Sequence, residues 1–194
     1  MFSLREIRDL VVAWLVLSFC FSVTWLRLDI RLFMISLITV GLGFVLHELS
    51  HKFTANAYGY WAEFRAWPWG LLTAFLLALA TGGRIVFAAP GAVYIAPSFR
   101  AYHELSGREY GLIAVAGPLA NMFLAIFFLA LTPFGGWVGF IGLNGFYVNS
   151  WLAAFNMLPF SVLDGLKVFS WNKPVWALIT GLSWAMVLYS LFTW

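Results

Sequence analysis

The chain has 194 residues, of which 63% are hydrophobic and 10% charged, and its mean hydropathy is +0.90. A soluble domain carries about 25% charged residues, and one small core cannot hide this much apolar surface from water, so a soluble globular protein is excluded in favour of one placed in a lipid bilayer. The formal charge of +3 comes from eleven scattered Lys and Arg, with no basic run interleaved with aromatics, so a nucleic-acid partner is not expected.

Residues 10–26 form the first apolar segment. "LSFC" at 17–20 sits where a lipoprotein cleavage box would, but Phe19 occupies a position that requires a small residue, and no A-x-A-like site is nearby. The segment therefore reads as a retained first helix. Cys20 is the single cysteine, so no intrachain disulfide can form. Segments 32–53, 110–131, 137–158 and 174–193 follow, each near the ~20 residues that cross about 30 Å of hydrocarbon. Pro174 suits the first turn of the last one. Trp25, Trp67, Trp69, Trp137, Trp171 and Trp194 fall near the proposed ends, where interfacial belts place them.

"WPWGLLTAFLLALATGG", 67–83, is different. Its apolar part is about 14 residues, roughly 21 Å as helix, which is short for a crossing. "RIVFAAPGAVYI", 84–95, then reads as two short extended pieces broken at Pro90-Gly91. If 67–83 spans, the Lys and Arg divide four against seven. If it dips in and returns, Arg5, Arg8, Lys52, Arg65, Arg84, Arg100, Arg108, Lys167 and Lys173 share one side against Arg27 and Arg31. Nine against two obeys the positive-inside rule. The predicted fold is an all-α polytopic membrane protein of about five transmembrane helices plus a re-entrant or interfacial hairpin with short β-strands, with six transmembrane helices as the alternative. The amino terminus is then cytoplasmic. With no linker, charge block or repeat of domain scale, residues 1–194 read as a single integral-membrane domain with an insert at 67–99.

"FVLHELSHKF", 44–53, places ionisable groups inside an apolar segment, where they are costly and point to function. His47 and His51, four apart, stack on one helix face and can both ligate one metal ion. Glu48 is displaced around the helix, placed to take a proton from a water at the metal rather than to bind it, as in the H-E-x-x-H zinc proteases. Arg31 to Lys52 is about 32 Å of helix, which sets His47 roughly 8 Å inside the Lys52 end, near the cytoplasmic face. A catalytic zinc site expects a third protein ligand. Asp29 falls at the opposite face. His103 and Glu104 lie in "SFRAYHELSGREY", which reads as a polar cytoplasmic loop. Asp164 lies in "FNMLPFSVLDGLKVF", 155–169, where Pro159 ends a helix and the chain returns to the cytoplasmic face beside His47 and His51. Zn²⁺ would supply the partner that a membrane-level aspartate needs.

Three blocks in order, "HELSH", "AGPLAN" at 116–121 and N-x-x-P-x-x-x-x-D-G at Asn156, Pro159, Asp164 and Gly165, give the chain a resemblance to the site-2 protease family of intramembrane zinc metalloproteases, covering roughly residues 36–172. The resemblance implies a helical catalytic core at about 32–172, one zinc held by His47, His51 and Asp164, and Glu48 as the base. It implies that Asn156 orients substrate or stabilises the oxyanion. Asn121 is a weaker candidate, for packing or hydrogen bonding. Many relatives carry further prolines before the aspartate, where this chain has Ser161 and Val162. The implied activity is hydrolysis of peptide bonds in or near the transmembrane helices of membrane-protein substrates. The small size and the lack of an accessory domain in the sequence point to a prokaryotic cell membrane, with an organellar membrane as the alternative. The alternatives are an inactive zinc-binding regulator that binds transmembrane helices, against which Glu48 speaks, and a metal transporter, which would want polar residues along several spans.

Overall fold

The computed structural model describes residues 2–24, 27–83, 90–98 and 104–193. Helix α1 covers Leu4–Cys20, started by Ser3, whose hydroxyl accepts from Glu6 N. It begins and ends earlier than the expected 10–26. The β-branched Val23–Thr24 (β1) instead pairs antiparallel with Arg27–Leu28 (β2). Asp29 then caps α2, Ile30–Ala57, by accepting from Arg31 N and Leu32 N. The capped turn explains why the first helix cannot run on to residue 26.

Strand β3, Trp61–Ala66, leads into α3, Pro68–Thr81, a 14-residue helix with proline in its first turn and Gly82 in the left-handed conformation at its end. Strand β4, Gly91–Ala96, pairs antiparallel with β3 from Trp61↔Ala96 to Ala66↔Gly91. The extended piece expected at 91–95 is therefore present, but its partner is a strand with no counterpart in the sequence reading. The other expected piece, at 84–88, falls almost wholly in the undescribed 84–89, as Arg84 does. Helix α4, Gly107–Leu129, opens with a reciprocal Ser106–Glu109 capping box. Helix α5 is Gly136–Asn156, α6 is Asp164–Trp171 and α7 is Lys173–Thr193.

Among the described residues, three helices are long and apolar enough to cross a membrane: Ile30–Ala57, Gly107–Phe134 (α4 continued through a short turn) and Lys173–Phe192. Helix α1 has only 17 residues, and α5 carries Asn144, Asn149 and Asn156. Helices α2, α4 and α5 pack against one another, and α6 closes on α4. An apolar cluster that includes Leu17, Val40, Phe64 and Ala74 joins α1, α2, α3 and β3 on the other side.

Buried charge ties α1 to this core. Lys52 is 4% exposed, and its Nζ lies 2.7 and 2.5 Å from the two Glu6 oxygens. Glu6 Oε1 also accepts from Phe64 N at 3.1 Å, and Asp9 Oδ2 accepts from Ala66 N at 3.2 Å. Lys52 is thus one half of an internal ion pair rather than the interfacial charge its position in the sequence suggests. The same carboxylates occupy backbone donors along the outer edge of β3.

Candidate metal centre

The four-residue spacing of His47 and His51 on α2 does what helical geometry dictates. Their ring centroids are 4.7 Å apart and their Nε2 atoms 3.0 Å apart. Asp164, the first residue of α6, places Oδ2 at 3.3 Å from His47 Nε2 and 3.0 Å from His51 Nε2. All three side chains are buried. Donors that share a tetrahedral ion at about 2.0–2.1 Å stand about 3.3 Å from one another, so the three separations suit one zinc.

The hydrogen bonds on the far side of the rings fix which atoms face inward. His51 Nδ1 lies 2.7 Å from Ile113 O. A carbonyl only accepts, so Nδ1 carries the proton and Nε2 presents a lone pair. His47 Nδ1 lies 2.6 Å from Asn121 Oδ1, while Asn121 Nδ2 donates to Gly43 O at 3.0 Å. That second bond orients the amide with its oxygen toward the ring, and His47 Nε2 is likewise bare. Two lone pairs and a carboxylate oxygen converge on one point, an arrangement that a cation satisfies and that would otherwise be repulsive. His47, His51 and Asp164 therefore fit a metal ion.

Two glycines let the elements meet. A Cβ at Gly117 of α4 would press on His51 Nε2 and stand 2.6 Å from His51 Cε1 and 2.7 Å from His47 Cε1. A Cβ at Gly165 would strike the carbonyls of Met157 and Leu158. Glycine after Asp164 thus seats α6 directly on the end of α5. The connecting loop turns at Ser161, whose φ is 52°. Proline locks φ near −65°, so a proline cannot sit at 161 in this loop. Trp176 Nε1 anchors the loop instead, donating to Met157 O at 2.9 Å. Ser161→Pro is expected to weaken zinc binding by about tenfold or more by displacing Asp164, whereas Ser161→Gly leaves it unchanged, as read by chelator competition.

Glu48 is buried on α2 next to the centre. Asn156 lines one cavity together with His51 and Asp164. Its Nδ2 is bonded to Leu152 O of its own helix at 2.9 Å, so the structure brings it to the site without aiming this donor at a substrate. Asn121 is more intimately involved than its sequence context suggested, through the His47 contact. Asp29 is confined to its capping role at the start of α2, Glu104 is exposed, and His103 lies outside the described residues. Lys167 was not anticipated as a site residue. One turn along α6, its Nζ donates to Asp164 Oδ1 at 2.9 Å, holding one carboxylate oxygen while the other faces the imidazoles. A basic residue three positions after Asp164 was the available signal.

A protein of Methanocaldococcus jannaschii named "Putative zinc metalloprotease MJ0611" is 45% identical over 194 residues, covering 98% of this chain and 97% of that one. The chain belongs to the site-2 protease-like family of zinc metalloproteases. A second relative, "Putative zinc metalloprotease Rip2" of Mycolicibacterium smegmatis, is 31% identical over 140 residues, which is 62% of this chain and 50% of that one. No family model matches, and no solved structure matches. The cofactor of this chain is a single Zn²⁺, which the His47, His51 and Asp164 group can hold.

Proposed function

We propose that the chain is an intramembrane zinc endopeptidase that hydrolyses peptide bonds in or near transmembrane helices of membrane-protein substrates. The observation that carries this reading is the buried convergence of His47 Nε2, His51 Nε2 and Asp164 Oδ2 beside Glu48 on a helix long and apolar enough to cross a membrane. When bound, zinc supplies Lewis acidity, polarising a carbonyl and acidifying water. Glu48 takes the proton of the attacking water and passes it to the leaving amine. Asn156 exchanges its Leu152 contact for the developing oxyanion. Lys167 keeps Asp164 Oδ1 engaged throughout.

The chain is a multi-pass protein of a prokaryotic cell membrane, with five spans, a cytoplasmic amino terminus and the zinc near the cytoplasmic face. The return of the 67–90 segment to its starting point supports five spans over six, since Trp67 N donates to Pro90 O at 2.8 Å. A 14-residue helix that leaves and rejoins one sheet makes no net crossing.

A helical substrate hides its backbone and must unwind, and a strand edge can hold the unwound segment. Phe64 N and Ala66 N point away from β4, toward Glu6 and Asp9. Alternation then directs Trp61, Glu63 and Arg65 to β4, and leaves the backbone groups of Gly91, Val93 and Ile95 on the outer edge of β4. Those three residues line the same cavity as His51, Asp164 and Asn156. Among the described residues no strand occupies that edge. Val93→Pro removes an outward N–H and is expected to slow cleavage about tenfold, mainly through KM, with zinc retained. Tyr94→Pro removes a bond to β3 and disrupts the sheet. Normal cleavage by Val93→Pro would exclude strand pairing.

The deciding experiment is reconstitution of the full chain in liposomes with a single-span model substrate, zinc being stripped by chelator and restored. Cleavage that disappears and returns with zinc supports the endopeptidase. Zinc uptake with no cleavage of any membrane substrate would favour a helix-binding regulator.

A further inference from the structure

The polarity of the His47 ring is set farther away than its own neighbour. Asn149 on α5 is fully buried, as is Asn121 on α4. Asn149 Nδ2 donates to Gly145 O at 2.9 Å, one turn back on its own helix. That carbonyl can only accept, so the Asn149 amide has a single orientation, with Oδ1 left as an acceptor. Asn121 Nδ2 donates to this Oδ1 at 3.1 Å, in addition to Gly43 O. Asn121 Oδ1 must then face His47 Nδ1, at 2.6 Å. Gly43 has room for this because it lacks a side chain: a Cβ there would stand 2.6 Å from Asn149 Oδ1.

We infer that Asn149 is a positioning residue for the metal centre, acting through Asn121 to hold His47 in the tautomer whose Nε2 is free to ligate. The relay crosses three helices and contains no charged member. Without it, the Asn121 amide loses one of its two anchors and can rotate to present N–H to the ring. The ring then answers with the proton on Nε2, which cannot bind a metal. The inference rests on the zinc reading of His47, and the experiment separates the two.

Zinc affinity of the full-length protein in detergent is measured by chelator competition, together with the visible spectrum of the Co²⁺-loaded form and the melting temperature of the metal-free form. Asn149→Leu, close in size but without an acceptor, is expected to weaken zinc about 10- to 100-fold and to change the cobalt bands. Asn149→Asp, as the protonated acid, donates its O–H to Gly145 O in place of Nδ2 and keeps an acceptor oxygen toward Asn121, and is expected to bind within a few-fold of wild type. Asn144→Leu is the control, because Asn144 Nδ2 also bonds back along α5, to Phe140 O at 2.8 Å, without reaching Asn121. Unchanged affinity in Asn149→Leu, or an equal loss in Asn144→Leu, would overturn the relay. Failure of the wild type to take up zinc would overturn the metal reading beneath it. If Asn149→Leu does not fold, nitrogen NMR of the metal-free wild type decides: a proton on His47 Nδ1 supports the relay, and a proton on Nε2 overturns it.

Discussion

Glu48→Gln is expected to keep its zinc and to lose cleavage by a factor of about 10²–10⁴, the range that positioned acid–base groups contribute. The two effects separate because the ligand set does not include this residue. His47 Nε2, His51 Nε2 and Asp164 Oδ2 converge within 4.8 Å of one another without it. Glutamine preserves the size and polarity of the side chain at a buried position, so α2 keeps its packing and the imidazoles keep their contacts to Asn121 and Ile113 O. What is removed is the ability to receive a proton. Chelator competition and cleavage of a reconstituted single-span substrate are measured on one preparation. Cleavage at the wild-type rate would remove Glu48 from the mechanism. Loss of zinc together with activity would mean that the carboxylate helps to hold the metal.

The parts of this site that were legible in the sequence are those written locally. His47, Glu48 and His51 lie within two turns of one helix, and a period of 3.6 residues fixes their relation before any tertiary structure is known. Asp164 is distant in sequence, but Pro159 and the distribution of Lys and Arg constrain the direction of the chain that carries it. The missed features depend on pairing across the fold. Strand β3 is only the six residues "WAEFRA", too short for an alternation signal to stand out beside the apolar run that follows. Lys52 reads as an interfacial cation from position alone, and only the arrival of Glu6 from α1 makes it an internal ion pair. Asn149 sits on another helix from His47, with Asn121 between them, and a buried asparagine carries no mark of which partner it will meet. The span of α1 was misplaced because Ser3 and Asp29 act as caps, and a hydropathy window sees apolar length rather than capping.

Gly117→Ala is expected to lower zinc affinity and cleavage together, by about 100-fold, with little loss of helix content. The added methyl would meet both imidazoles, at 2.6 Å from His51 Cε1 and 2.7 Å from His47 Cε1. A flexible side chain could swing away, but these rings cannot do so freely. Their Nδ1 atoms are held at 2.6 Å from Asn121 Oδ1 and 2.7 Å from Ile113 O, and both of those partners lie on α4 itself. The helix that brings the methyl also supplies the hydrogen bonds that orient the rings. Moving α4 outward would relieve the contact and stretch both bonds, and misplacement of a reacting group by about 1 Å can cost 10²-fold. Overpacking at one methyl costs about 1–3 kcal/mol, which a helical bundle can absorb without unfolding. Gly181→Ala on α7, where a Cβ meets nothing within 4 Å, is the matched control and should leave zinc binding at the wild-type level. Wild-type affinity in Gly117→Ala would show that α4 does not set the distance between the imidazoles. In that case the second sequence block, "AGPLAN", would owe its glycine to something other than the metal.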